Sequence, residues 1–189
     1  MRSCVTNSAG ENLGGTQKML NVQRVLTNKR SKACGAAFEK IIDSACERYA
    51  LLGKAKIEKQ SEPVHYIRPY GKYGQFIANY AKKSGVDYKG TLKGGRAVVF
   101  EAKHTDGENI ALSRVQPHQI AYMKAHEKLG AKCFVLVSFG LEEFYRVPLE
   151  AWINMKAMLG HKYISKEEAK LHYTKLNYVG QHLMFLEDL

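Results

Sequence analysis

The chain contains no Cys-x-x-Cys pair, because its four cysteines, Cys4, Cys34, Cys46 and Cys133, are scattered over 189 residues. That spacing argues against a zinc site and against a disulfide framework, and leaves Cys46 and Cys133 as expected buried thiols. The seven histidines form no His-x-His or His-Glu-x-x-His pattern, which argues against metal-ligating histidines even though His118 and His126 share one expected helix. No apolar run approaches the ~20 residues needed to cross a bilayer, and the N-terminus has no apolar signal-peptide core. The expectation is therefore a cytoplasmic protein, bacterial or in the host of a phage, with no membrane partner. Acidic residues are also in short supply: 18 Asp and Glu face 29 Lys and Arg, giving a formal charge of +11. Such an excess suits a polyanion, with nucleic acid first.

The length fits one domain with extensions. Residues 1–32 are rich in Ser, Asn, Gly and Thr, with Arg24, Lys29, Arg30 and Lys32 as basic positions, and read as a flexible basic arm preceding a domain over 33–189. From Ala33 to Leu52 the apolar residues Phe38, Ile41, Ile42, Ala45, Tyr49 and Leu52 recur at helical spacing, with Gly53 as a stop. Glu39 lies roughly 90° from the centre of that stripe, at the boundary between core and solvent. Lys54–Lys59 reads as a short strand. Pro63, Pro69, Gly71 and Gly74 then interrupt regular structure, while cations and rings mix through Tyr66, Arg68, Tyr70, Lys72, Tyr73 and Phe76. Such a mixture suits a nucleic-acid surface, with cations on phosphate and rings stacked on bases at ~1–3 kcal/mol each. Arg68, Tyr70, Lys72 and Tyr73, with Lys82 and Lys83 beyond them, are the candidate DNA contacts, in an insertion over about 65–82.

Val86–Lys103 reads as a hairpin, His104–Asn109 as a polar loop, and Gln116–Leu129 as a helix with Pro117 in its first turn and Gly130 at its end. Cys133–Phe139 is a buried strand, Phe144–Val147 a shorter one, and helical patches follow at Ala151–Leu159 and Ser165–Tyr173. The fold class is α/β, a mixed central sheet flanked by helices.

The chemistry lies in the hairpin. Along Arg96–Lys103 the period of two places Val98, Phe100 and Ala102 on one face and Val99, Glu101 and Lys103 on the other. A two-residue turn at Gly94-Gly95 would set Asp87 opposite Ala102 and leave no site. A three-residue loop, Lys93-Gly94-Gly95, sets Leu92 opposite Arg96 and Asp87 opposite Glu101, and supplies the glycine such loops need. This second register is the expectation. Opposed Cβ atoms stand ~4.5–5.5 Å apart, so the carboxylates of Asp87 and Glu101 would repel unless they shared a cation. Magnesium, which takes oxygen ligands and substrate phosphate, suits the pair. Lys103 on the same face would stabilise the charge of a pentacovalent transition state. The residues alone leave two readings open, a nuclease and a non-catalytic DNA-binding protein.

The Asp…Glu-x-Lys arrangement resembles the PD-(D/E)xK nuclease superfamily. Gly85-Val-Asp-Tyr-Lys-Gly90, Phe100-Glu-Ala-Lys103, Pro117-His-Gln-Ile120 and Cys133-Phe-Val-Leu-Val-Ser138 further resemble the RecU family of Holliday junction resolvases, in order over about residues 28–189, with a Glu-Pro-Val turn at 62–64. The resemblance implies a restriction-endonuclease-like core with a projecting stalk at Tyr66–Tyr80, and a homodimer nicking four-way junctions symmetrically with magnesium or manganese. It puts Asp87, Glu101 and Lys103 in the catalytic places, Glu39 in that of the N-terminal helix acid, and Gln119 in a supporting position on the following helix. Where the family commonly reads Asn-Arg-Gly, this chain has Ala33-Cys34-Gly35, and its stalk is somewhat short. A non-catalytic recombination factor and a sequence-specific restriction-type enzyme are the alternatives.

Overall fold

Residues 97–105, apolar in their first half, and the apolar run at 133–139 become the central strands, because both of their faces are covered. The structure, a computed structural model, describes residues 13–61, 63–80, 85–187 and 189, with side chains in the first helix described for Val25 and from Lys29 onward, and Tyr80 by its backbone. In chain order the elements are α1 (Leu13–Leu51), β1 (Ala55–Lys59), β2 (Val64–Pro69), β3 (Phe76–Tyr80), β4 (Tyr88–Leu92), β5 (Ala97–Thr105), β6 (Asn109–Ala111), α2 (Pro117–Lys128), β7 (Lys132–Phe139), β8 (Glu143–Pro148), α3 (Leu149–Ile153), α4 (Met155–Leu159), β9 (Tyr163–Ser165), α5 (Lys166–His172), β10 (Thr174–Lys175), β11 (Asn177–Val179) and β12 (His182–Met184). No described helix is long and apolar enough to cross a membrane.

The central sheet has the order β1-β4-β5-β7-β8-β10. Only β5 and β7 run parallel, linked through α2, and their neighbours are antiparallel. This is the mixed α/β architecture expected from the pattern. On one face α1 packs Phe38, Ile42, Ala45 and Tyr49 against Val98, Phe100, Phe134 and Leu136. On the other, Met123 of α2 and Trp152 of α3 join Val99, Val135, Val137 and Val147. Alternation along β5 thus feeds two cores.

A ladder of rings locks the centre of the sheet. Tyr88, Phe100 and Phe134, side by side on β4, β5 and β7, stack with centroids 4.9 Å apart at each step. Each pair contributes about 0.5–1.5 kcal/mol beyond its burial, and the ladder also resists slippage of β4 along β5. At Gly90 the next strand comes so close that a Cβ would lie 2.1 Å from the Lys56 carbonyl oxygen. Only glycine fits there.

Some boundaries differ from expectation. The first helix begins at Leu13, not Ala33, because residues 13–32 offer helix formers such as Gln, Lys, Arg, Met and Leu without the apolar stripe that marked the later half. Its end is as expected, except that Leu52 lies beyond it and is exposed. The interrupted segment after Pro63 is a hairpin, β2 on β3, with a bulge between Tyr66 and Arg68; proline is tolerated at strand ends and on edges. His104 and Thr105 belong to β5, and Asn109–Ala111 to β6, which pairs with β9. The 151–159 patch is two short helices broken at Asn154. Short strands too brief for a periodic signal fill the last residues, where the Phe185 and Leu186 N–H groups donate to the Tyr49 hydroxyl at 2.7 and 2.9 Å.

Candidate active site

The register of β4 on β5 decides whether a site exists. Tyr88 faces Phe100 and Thr91 faces Ala97, the Leu92 N–H donates to the Arg96 carbonyl at 2.8 Å, and Gly94 and Gly95 both take positive φ. This is the three-residue loop, and it carries Asp87, one residue before β4, to the position across from Glu101. The carboxylates meet around one cation. Lys103 Nζ donates to Asp87 Oδ2 at 3.0 Å and to Glu101 Oε2 at 2.6 Å.

Each member is held from several directions. The Asp87 N–H donates to Glu101 Oε1 and the Ala102 N–H to Asp87 Oδ2, both at 3.0 Å, so each carboxylate binds the other's strand. Gln119 Nε2 donates to Glu101 Oε2 at 2.8 Å, while Gln119 Oε1 accepts the Gln116 N–H at 2.9 Å in the capping box that starts α2. One amide therefore fixes both a helix terminus and a site carboxylate. Behind the site, the Tyr88 hydroxyl donates to Asp43 Oδ1 at 2.8 Å and ties β4 to α1.

Burial divides the two acids. Glu101 is fully buried, and desolvation, reinforced by the Asp87 charge and partly offset by Lys103, pushes its carboxyl up to about 8. For Asp87 burial acts in the same direction, but Lys103 and the Ala102 N–H outweigh it and hold the carboxyl below its ordinary value. Desolvation works against the Lys103 charge, yet the two carboxylates outweigh it and raise its pKa. Adjacent acids pushed apart in this way, beside a lysine that stays charged, are a pattern shared by catalytic sites and structural ion-pair networks, and make this a candidate site.

Glu39 sits elsewhere in the cleft. Its carboxylate accepts from Lys59 Nζ at 2.8 Å, and it lines a cavity of about 380 Å³ whose walls also include Lys32, Lys103, His104 and Arg114. Arg68, Tyr70, Lys72 and Tyr73 lie on the exposed β2–β3 hairpin, with Tyr73 97% exposed near its tip; that hairpin forms its own two-stranded sheet. Lys82 and Lys83 lie outside the described residues, as does Glu62 of the Glu-Pro-Val turn. Cys46 and Cys133 are buried, as expected, and burial raises both thiols to about 12. The sequence did not single out Lys59 or Arg114, whose roles depend on contacts between distant segments. Nor did it reveal that Cys34, His104 and Asp106 bring potential ligand atoms within 4.8 Å of one another.

A family model described as Recombination protein U matches residues 33–188. The chain belongs to the RecU family. A Holliday junction resolvase RecU of Bacillus pumilus (strain SAFR-032) is 32% identical over 164 residues, 82% of this chain and 76% of that protein. Its counterpart in Ligilactobacillus salivarius (strain UCC118) is 28% identical over 179 residues, 88% of this chain and 84% of that one. Among solved structures, the Holliday junction resolvase Hjc of Archaeoglobus fulgidus aligns with a TM-score of 0.43 and 10% identity over 75% of this chain and 90% of its own.

Proposed function

We propose that this RecU-family chain is a structure-selective DNA endonuclease that resolves four-way junctions by metal-dependent phosphodiester hydrolysis. The observation that carries the reading is the Lys103 ammonium held between Asp87 and Glu101 at 3.0 and 2.6 Å, within a RecU-family chain of net charge +11. The catalytic unit is the domain over 33–189, with β2–β3 as the stalk.

Asp87 and Glu101 offer hard carboxylate oxygens on facing backbone positions, a donor set that fits magnesium, with manganese able to replace it. When bound there, the ion supplies Lewis-acid polarisation of the scissile phosphate and lowers the pKa of an attacking water. The chain's own groups do the rest. Lys103 keeps its proton on Nζ, so it acts as a fixed positive charge beside the reacting phosphorus and stabilises the extra negative charge of the transition state. Gln119 holds Glu101 in place through its amide. Glu39 and Lys59 shape the cleft wall next to them, and Lys32 and Arg114 favour an anionic backbone in the same cleft. On the stalk, Arg68 and Lys72 bind phosphate and the rings of Tyr70 and Tyr73 stack on exposed bases; Lys82 and Lys83 are further phosphate contacts. Symmetrical resolution requires two cuts, so the acting unit is a homodimer, and the site of action is the cytoplasm.

A nicking assay on synthetic four-way junctions and matched linear duplex, with magnesium or chelator, tests this. Paired nicks in junctions that need magnesium and disappear in Asp87→Ala are the expected result. Cutting of linear duplex at one sequence would replace the reading with a restriction-type enzyme, and no cutting of either with a DNA-binding factor.

A further inference from the structure

A second cluster of ligand-type side chains stands beside the catalytic one, around a residue whose face of β5 is opposite to that of Lys103. His104 is 4% exposed and follows Lys103 in sequence. Its Nδ1 lies 3.1 Å from Ser138 Oγ, its parallel-strand neighbour on β7, and its Nε2 lies 3.1 Å from Asp106 Oδ1. Cys34, half-buried on α1, completes a group whose sulfur, nitrogen and oxygen atoms all lie within 4.8 Å of one another.

We propose that Cys34, His104 and Asp106 form a zinc site, separate from the Asp87–Glu101 pair, that clips α1 to the end of β5. The ligand chemistry favours this ion, because thiolate and imidazole suit zinc and not magnesium. Thiolate and carboxylate together also balance a divalent charge. At zinc–nitrogen and zinc–oxygen lengths of ~2.0–2.1 Å, two tetrahedral ligands stand about 3.3 Å apart, and the observed Nε2–Oδ1 distance of 3.1 Å is already close to that. The Cys34 sulfur, within 4.8 Å of the other two ligand atoms, supplies the third ligand, and a water takes the fourth position. Ser138, itself fully buried, supplies the outer partner such histidines use: with Nε2 on the ion, Nδ1–H donates to its hydroxyl and fixes ring and tautomer. Because Glu39 stands five residues beyond Cys34 on the same helix, the clip would also set the position of that cleft wall.

The test reads binding instead of activity. Metal-stripped full-length protein is titrated with cobalt(II) and then zinc. The expected result is one tetrahedral cobalt per chain, with the visible bands of that geometry and a thiolate-to-metal charge-transfer band, both displaced by one equivalent of zinc, apart from any cobalt held without a thiolate band at Asp87 and Glu101. Cys34→Ser removes the thiolate band, Ser138→Ala weakens zinc binding about 10–100-fold, and Asp87→Asn leaves both bands in place. A wild-type spectrum without the thiolate band, or a band that survives Cys34→Ser, overturns the site. Loss of the band in Asp87→Asn overturns its independence from the catalytic pair.

Discussion

Glu101→Gln should make the protein more stable in alkaline solution while destroying its candidate metal site. In metal-free protein the folded chain retains a proton on Glu101 up to about pH 8, whereas the unfolded carboxyl loses it near 4.5. Between these values the folded state binds more protons than the unfolded one, so stability falls as pH rises through that window and is lowest above it. Glutamine imitates the protonated acid and does not titrate. At about 1.4 kcal/mol per pH unit, the whole window is worth on the order of 5 kcal/mol, of which about 2 has gone by pH 6 and about 3 remains to be lost by pH 9. Urea denaturation of both proteins in chelator, at pH 6 and pH 9, measures the change, since groups that do not interact with Glu101 cancel in the difference, while Asp87, held below its ordinary value, and Lys103, held above its own, titrate outside that range. The advantage of the glutamine variant should grow by about 3 kcal/mol. A difference constant to within about 0.5 kcal/mol would refute a buried, proton-holding Glu101.

The same proton must leave when magnesium arrives, so apparent magnesium affinity should rise about tenfold per pH unit below 8 and level off above it, as followed by calorimetry. Lys103→Met should lower the nicking rate by about 10²–10³-fold with junction affinity unchanged in gel-shift titrations. Neutralising Arg68 and Lys72 together should reduce the slope of log affinity against log salt by about 1–2. Gly90→Ala places a methyl group against the Lys56 carbonyl and Ile57 Cα, backbone that cannot swing aside, and should lower stability by about 2–3 kcal/mol in the same urea assay.

How far the sequence speaks for itself depends on the range of the interaction. Asp87 opposite Glu101 was legible only as one of two registers, because Gly94-Gly95 marks the loop but suits both a two-residue and a three-residue turn, and the backbone pairing of Leu92 with Arg96 decides between them. The stripe of Phe38, Ile42, Ala45 and Tyr49 was legible because period 3.6 is a local property. The helical run from Leu13 to Lys32 was hidden, since propensity without an apolar stripe leaves no periodic trace. Lys59 with Glu39, and Cys34 with His104, join segments 20 and 70 residues apart, and nothing in their spacing announces the meeting. Gln119 was singled out by resemblance, but its double use of one amide is visible only in three dimensions.

That double use has a mechanical meaning. The carbonyl end of the Gln119 side chain terminates a helix while its nitrogen end steadies an acid in the neighbouring sheet, so the group behaves as a rigid coupling pin. Any force that tilts the helix, such as a nucleic-acid arm leaning on its exposed side, is transmitted to a single oxygen atom of Glu101 across one planar unit with no slack. Substrate posture and ion-holding geometry would thereby be adjusted in one movement.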